Sequence, residues 1–143
     1  MAVQVRPIFS QRELKQAFAI RVRVFVREQG VPMGMELDHD DAEAIHLLAI
    51  VSEKAVGTAR IVIRGSRAKI GRMAVLKTYR RKGVGKKLLK RAIATARRRG
   101  AKKLYLHAQV PVIGFYAAAG FRCVGRVFDE AGIPHRKMIL SDT

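Results

Sequence analysis

Residues 70–100 place an apolar strand, a glycine-bearing cationic loop and a basic amphipathic helix end to end. The strand carries Ile70, Met73, Ala74, Val75 and Leu76, and the loop reads Arg80-Arg81-Lys82-Gly83-Val84-Gly85. Glycine permits tight turns and close approach of a ligand to the backbone. The first N–H groups of a helix have no intrahelical partner, and the helix dipole favours an anion beside them. Arginine and lysine supply the countercharge, arginine with a planar fork that suits phosphate oxygens. The loop therefore reads as a pyrophosphate seat. The helix also carries the chain back, so that a strand over 103–108 can lie parallel to one over 68–76.

The 143 residues suit one domain, long enough to bury roughly 70% of the surface of the unfolded chain. The single cysteine, Cys123, has no partner for an internal disulfide, which suits a reducing compartment. The start of the sequence has no signal-type apolar run, and the longest helix-compatible apolar stretch, 44–52, is interrupted by His46. That is far short of the ~20 residues of a membrane span. The expectation is a soluble cytoplasmic protein without a membrane partner.

The 29 basic and 11 acidic residues give a formal charge of +18, which favours anionic partners without choosing among them. Residues 77–103 hold 13 Lys or Arg and no acid, whereas 28–53 hold 7 of the 11 acids and no Lys or Arg. The two segments suit different partners, an anion and a cation, or each other.

In chain order, 2–8 reads as a strand ending at Pro7. Ser10 and Glu13 form a capping box for a helix over 11–27, carried by Leu14, Ala17, Phe18, Arg21/Val22 and Phe25 and ended by Gly30 and Pro32. Residues 33–44 read as a polar acidic loop. Strands over 45–52, 56–64 and 68–76 follow, with turns at Glu53-Lys54 and Gly65-Ser66, as an antiparallel meander. A helix over 84–99, with Val84, Leu88, Leu89, Ala92, Ile93 and Ala96 as its buried stripe, stops at Gly100. The strand over 103–108 and a short helix over 112–119 come next. Strands over 121–128 and 136–140 are then joined by the loop 129–134. The fold class is α+β, a mixed sheet of six or seven strands with helices on its faces.

Three matches converge on one family. The segment AVLKTYRRKGVG, ending at Gly85, resembles the (Arg/Gln)-x-x-Gly-x-(Gly/Ala) coenzyme A loop of the GNAT N-acetyltransferase superfamily on Arg80, Gly83 and Gly85. Phe115-Tyr116-Ala117-Ala118-Ala119-Gly120-Phe121 resembles its FYxxxGF element, and the order of elements is similar to its fold. Val24-Phe25-Val26-Arg27-Glu28-Gln29, the loop 36–41, His46 and Gly132-Ile133-Pro134-His135 are similar to the ElaA-like subfamily.

The resemblance implies an N-acetyltransferase that moves the acetyl group of acetyl-coenzyme A to a primary amine by direct attack in a ternary complex. Strand 68–76 would splay from 103–108 and admit the cofactor between them. Backbone groups of Met73, Ala74 and Val75 would pair with the pantetheine, the Val75 amide polarising the thioester carbonyl. Amides of Arg81, Lys82, Gly83, Val84, Gly85 and Lys86 would cradle the pyrophosphate, with Arg80 beside them. Gln109 stands where relatives often have asparagine, and Val112 where they often have alanine. Tyr116 would be the family's general-acid tyrosine, able to protonate the departing thiolate.

Many relatives carry a basic glutamate on the fourth strand, where this chain reads Gly71-Arg72-Met73. Glu28, His46, His107 and His135 are the candidates for the base, histidine being able to accept a proton at neutral pH. Glu36, Asp38, Asp40 and Asp41 can attract a cationic amine, which puts Glu28, Glu36, Asp38, His39 and His107 on the acceptor side. No metal is expected, since the acidic loop lacks the glycine turn and distal glutamate of a calcium loop. A small-molecule or lysine-type amine is the expected partner, and exposed edges at the C-terminal hairpin would permit a homodimer.

Two other classes fit the charge. One is a nucleic-acid-binding module built on the basic helix, although the chain has only nine aromatics, 6 Phe and 3 Tyr, and matches no common reader motif. The other is a coenzyme A-binding protein without transfer activity.

Overall fold

In the computed structural model, residues 1–140 are described. A seven-stranded sheet runs in the order β1-β2-β3-β4-β5-β7-β6. Its strands are β1 (Gln4–Pro7), β2 (Ile45–Val51), β3 (Lys54–Arg64), β4 (Arg67–Val75), β5 (Lys103–Gln109), β6 (Phe121–Glu130) and β7 (Ile133–Leu140). Every neighbouring pair is antiparallel except β4 and β5. This is the expected mixed α+β sheet with one parallel pair.

One helix covers each face. α3 (Val84–Arg98) buries Val84, Leu88, Leu89, Ala92 and Ala96 against Leu47, Ala49, Ile61 and Ile70 of the sheet. It sits so close to β3 that a Cβ added at Gly57 would lie 3.0 Å from Leu88 Cδ1 and 3.2 Å from the Ala74 carbonyl oxygen. α1 (Gln11–Arg21) covers the opposite face with Ala17 and Ile20, against Leu48 and Ala74. Its N-terminus is capped as expected, Ser10 Oγ accepting from the Glu13 amide at 3.1 Å.

The structure departs from the sequence reading in its turns and at the end of α1. The first helix does continue past Arg21, but Val22–Glu28 is π-helix. Its wider turns carry three β-branched valines, which crowd an α-helix. The acidic segment is not all irregular. It forms a helical turn, α2 (Met33–Glu36), and a 3₁₀ turn, His39–Ala42, whose capping box joins Asp38 and Asp41. The β2–β3 turn is Ser52-Glu53, both at positive φ, with Val51 opposite Lys54. The short helix α4 is confined to Ile113–Ala117.

The largest departure is at the C-terminal hairpin. The expected six-residue loop 129–134 is a two-residue turn, Ala131-Gly132, with φ of 53° and 79°. Glu130 pairs with Ile133, and Pro134 lies inside β7 opposite Asp129. Positive φ at both central residues matches the twist of a two-residue hairpin. The shift brings Glu130 and His135 into the sheet.

Candidate active site

The β4–β5 pairing is short. Only Arg67, Ala68 and Lys69 of β4 lie against Lys103, Leu104 and Tyr105 of β5, and the strands then part. Beyond that point β4 carries one extra residue against β3: Thr58 faces Ala74 while Arg60 faces Gly71, with Arg72 at φ 48°. A bulge bends its strand, and this one sits where β4 leaves β5. Left-handed backbone is costly for arginine, about 1–2 kcal/mol. Here the guanidinium fixes it: Arg72 donates to the carbonyls of Glu36 (3.1 Å) and Met35 (3.3 Å) and to Asp38 (3.1 Å).

The parted strands open a cleft of about 740 Å³, whose lining includes Met73, Ala74 and Val75 of β4, Gly83, Val84 and Gly85 at the start of α3, and Tyr116. At its lower end stands the N-terminus of α3. Gly83 is the N-cap, in the left-handed region at φ 83°, and no side chain caps the helix. The first intrahelical bond runs from the Lys87 amide to the Gly83 carbonyl at 3.2 Å. The amides of Val84, Gly85 and Lys86 therefore precede the ladder and are available to an anion. Arg81, also at positive φ, and Lys82 are exposed beside them.

Gly85 does not need a positive φ, and a Cβ would just touch its neighbours. A Cβ there would meet Phe115 Cζ at 3.4 Å and Val75 Cγ2 at 3.9 Å. The Leu76 amide donates to the Val56 carbonyl on β3 at 2.9 Å. Because alternate residues of an extended strand face opposite edges, Val75 turns its own amide toward the gap.

Arg80 has another engagement. Its Nε donates to the Val75 carbonyl (2.8 Å), and its Nη2 to both carboxylate oxygens of Glu28 (3.1 and 2.9 Å). The side chain staples the loop to β4 and to the end of the π-helix. Glu28, expected among acceptor contacts and base candidates, is the other half of that staple. Gln109 is likewise engaged: it donates to Gln29 Oε1 at 2.8 Å, and Gln29 donates back at 3.3 Å. The pair links the helical side of the cleft to the end of β5.

The acidic loop is not an open anionic patch. Arg21, 1% exposed, donates to Glu36 Oε1 (2.8 Å), the Glu36 carbonyl (2.8 Å) and Asp41 (2.7 and 3.2 Å). Arg60 binds Asp38 and Asp41 at 2.6 and 3.1 Å, and Arg64 binds Asp40. Burial alone would push Asp41 up, but the hydrogen bonds and charge of Arg21, the Asp38 amide and Arg60 outweigh it and hold its carboxyl at about 2. Glu36 lines the cleft but is 1% exposed, with Oε1 held by Arg21 and Oε2 without a hydrogen-bond partner among the described residues. Asp38 still lines the cleft with its charge answered by Arg60 and Arg72, and His39 is exposed.

His46 is also displaced from its expected role. It is buried on β2, away from the cleft lining, with Nε2 2.9 Å from the Asp41 carbonyl and its ring edge-on to Phe18. It holds the acidic loop down. His107 and His135 do line the cleft, and so does Glu130, which lies within the segment 129–134 expected as a loop. Tyr116 packs edge-on against Phe115 and Phe121, and burial pushes its phenol up to about 12. It is thus protonated and a donor at neutral pH.

Among the described residues no helix is long and apolar enough to cross a membrane. Exposed cations lie along α3 and its surroundings: Lys86, Lys87, Lys90, Arg97, Arg98 and Arg99.

The comparisons agree with this geometry. Residues 9–141 match the family model described as acetyltransferase (GNAT) domain. The uncharacterized N-acetyltransferase YjcF of Bacillus subtilis is 37% identical, covering 91% of this chain and 94% of its own. Protein ElaA of Escherichia coli is 33% identical with 88% of each covered. The crystal structure of Escherichia coli ElaA superposes with a TM-score of 0.87 at 28% identity, over 98% of this chain and 100% of that one. An acyl-CoA N-acyltransferase structure from Pseudomonas aeruginosa gives 0.83 at 27% identity, over 98% and 99%. With its splayed parallel pair and uncapped helix N-terminus, the chain belongs to the GNAT acetyltransferase family, in the ElaA-like branch.

Proposed function

We propose that this member of an acyl-transferring family is an N-acetyltransferase that uses acetyl-coenzyme A and a primary amine in a ternary complex. The observation that carries the reading is the gap between β4 and β5 ending on the uncapped amides of α3. The residues present fit the cofactor. Val84, Gly85 and Lys86 would hold the pyrophosphate through their amides, with Arg81 and Lys82 as countercharge. Without a side chain at Gly85, the phosphates would approach its amide closely. Arg80 would act indirectly, by fixing the loop on Val75 and Glu28. Met73, Ala74 and Gln109 flank the path of the pantetheine arm, Gln109 after release from Gln29.

When bound, the cofactor supplies an activated thioester. Val75 would direct its amide at the thioester oxygen, a fixed dipole where negative charge develops. Tyr116 would donate its proton to the departing sulfur. Its raised pKa ensures that the proton is present at neutral pH. The acceptor would approach from the α1 and α2 side, past Phe25, Val31 and Met35.

A panel of primary amines, small molecules and lysine-type side chains, tests the reading by release of free thiol from acetyl-coenzyme A. Amine-dependent release that disappears in Gly85→Val is expected. Tight cofactor binding without release for any amine would instead favour a coenzyme A-binding protein that transfers nothing.

A further inference from the structure

Within the transfer reading, the acceptor's ammonium must lose a proton before it can attack, and most candidate groups are already committed. The stretch Gly71-Arg72-Met73 on β4 carries no acid, and the Arg72 guanidinium accepts nothing. Glu28, Glu36, Asp38, Asp40 and Asp41 are paired with arginines. His46 is outside the cleft, and Tyr116 holds its proton. A cluster on the other wall remains: His107 of β5, Glu130 of β6 and His135 of β7.

We propose that His107 Nε2 is the atom that takes the acceptor's proton, and that Glu130 is the positioning residue that makes it a base. His107 Nδ1 lies 3.1 Å from Glu130 Oε1. A neutral imidazole that donates Nδ1–H to this carboxylate carries its lone pair on Nε2. The ring of Phe128 stands edge-on to His107 at 5.0 Å and stacks on His135 at 6.0 Å, so both imidazoles are held in place. His135 is turned the other way. Its Nδ1 is 2.7 Å from the Ile133 carbonyl, which receives its N–H, and its Nε2 is 3.6 Å from Glu130 Oε2. The tight Ala131-Gly132 turn is what makes the cluster: it places Glu130 opposite Ile133, and His135 opposite Phe128 on one side and Gln109 on the other.

The other titratable side chains near this cluster are Lys69 of β4, Tyr105 of β5, whose ring centroid lies 6.1 Å from that of His107, and Lys137 of β7, paired with His107 and with its ammonium over the Tyr105 ring. Glu130 is held at about 2, chiefly by the hydrogen bond from His107 and against the opposing effect of burial. It therefore stays an anion throughout the working range and stabilises the imidazolium that forms. The proton balance is simple. His107 Nε2 receives one N–H proton of the ammonium. The freed lone pair forms the C–N bond as the C–S bond breaks. Tyr116 gives the sulfur its proton and is restored by the second proton that the nitrogen sheds. His107 returns its own proton to solvent.

Two small nucleophiles test this by free-thiol release from acetyl-coenzyme A. Methylamine is a protonated alkylammonium at pH 7.5, whereas hydroxylamine is already neutral there. His107→Ala, and His107→Gln, which can still bond to Glu130 but does not titrate, should each lose about a hundredfold in methylamine turnover. With hydroxylamine the loss should shrink to about threefold or less, since no ammonium proton has to be removed. Glu130→Gln should lower methylamine turnover while nearly sparing hydroxylamine turnover, the carboxylate that orients the imidazole having gone. Melting temperature and cofactor affinity, measured for each variant, separate these effects from misfolding. Equal losses with both nucleophiles, or wild-type turnover in the His107 variants, would overturn the proposal and leave the transfer reading standing. A wild-type protein inert to both nucleophiles would overturn the transfer reading itself, and the proposal with it.

Discussion

Arg21→Met tests whether the buried arginine holds the acidic loop against the sheet. Arg21 and Glu36 are each 1% exposed, and the guanidinium also carries Asp41. Without it, the Glu36 carboxylate keeps only Arg72 Nε, at 3.5 Å. Breaking a buried ion pair from one side costs about 3–5 kcal/mol, because the partner is left charged and dry. With an unfolding entropy of about 2.1 cal/mol/K per residue, a chain of this length loses about 10–17 °C in Tm. Removing both charges, as Arg21→Met with Glu36→Leu, should recover more than half of that loss. Thermal unfolding followed by circular dichroism at pH 7 gives the number. A fall of less than about 3 °C in the single variant, or a double variant no better than the single, would refute the reasoning.

Gly85→Val should weaken coenzyme A binding by at least about tenfold in calorimetry, with a modest loss in Tm, since the added methyls crowd Phe115 and Val75 at the phosphate seat. Gly57→Ala should act the other way. It should cost about 1–3 kcal/mol in chemical unfolding, because its Cβ would press on Leu88 at 3.0 Å and on the Ala74 carbonyl at 3.2 Å. Tyr116→Phe should lower kcat by about a hundredfold with cofactor affinity nearly kept; unchanged turnover would remove its role as acid. Asp41 contributes stability that is complete above its ordinary value of 3.8 and is lost as pH falls toward its folded value of about 2. Tm should therefore drop across that window, and Asp41→Asn should drop less.

What the sequence made legible was local. The strand–loop–helix around Gly83 and Gly85, the crossover to β5 and the buried stripe of α3 all follow from periodicity and turn chemistry, and all are present. The acidic loop was visible but its bonding was not. Arg21 falls on the apolar stripe of α1, and a charge there, in a chain whose acids cluster in a segment without a single cation, is the signal that points to pairing. The distance between the partners along the chain hides which arginine takes which acid. Arg80 carries a similar ambiguity: a cation beside a phosphate seat can also be the staple that builds the seat. At the hairpin, Asp129 to Pro134 look like one polar loop, since proline argues against a strand. Only the pairing of Glu130 with Ile133 reveals that Ala131-Gly132 alone turns the chain. That misplacement concealed Glu130, because a loop carboxylate has no fixed partners.

The most direct measurement is a crystal structure of the protein soaked with acetyl-coenzyme A. The pyrophosphate should lie on the amides of Val84, Gly85 and Lys86, with the thioester between β4 and β5 within reach of the Val75 amide and the Tyr116 hydroxyl. Density for the cofactor elsewhere, with the Gly83 turn bare and the gap between the two strands empty, would contradict the account.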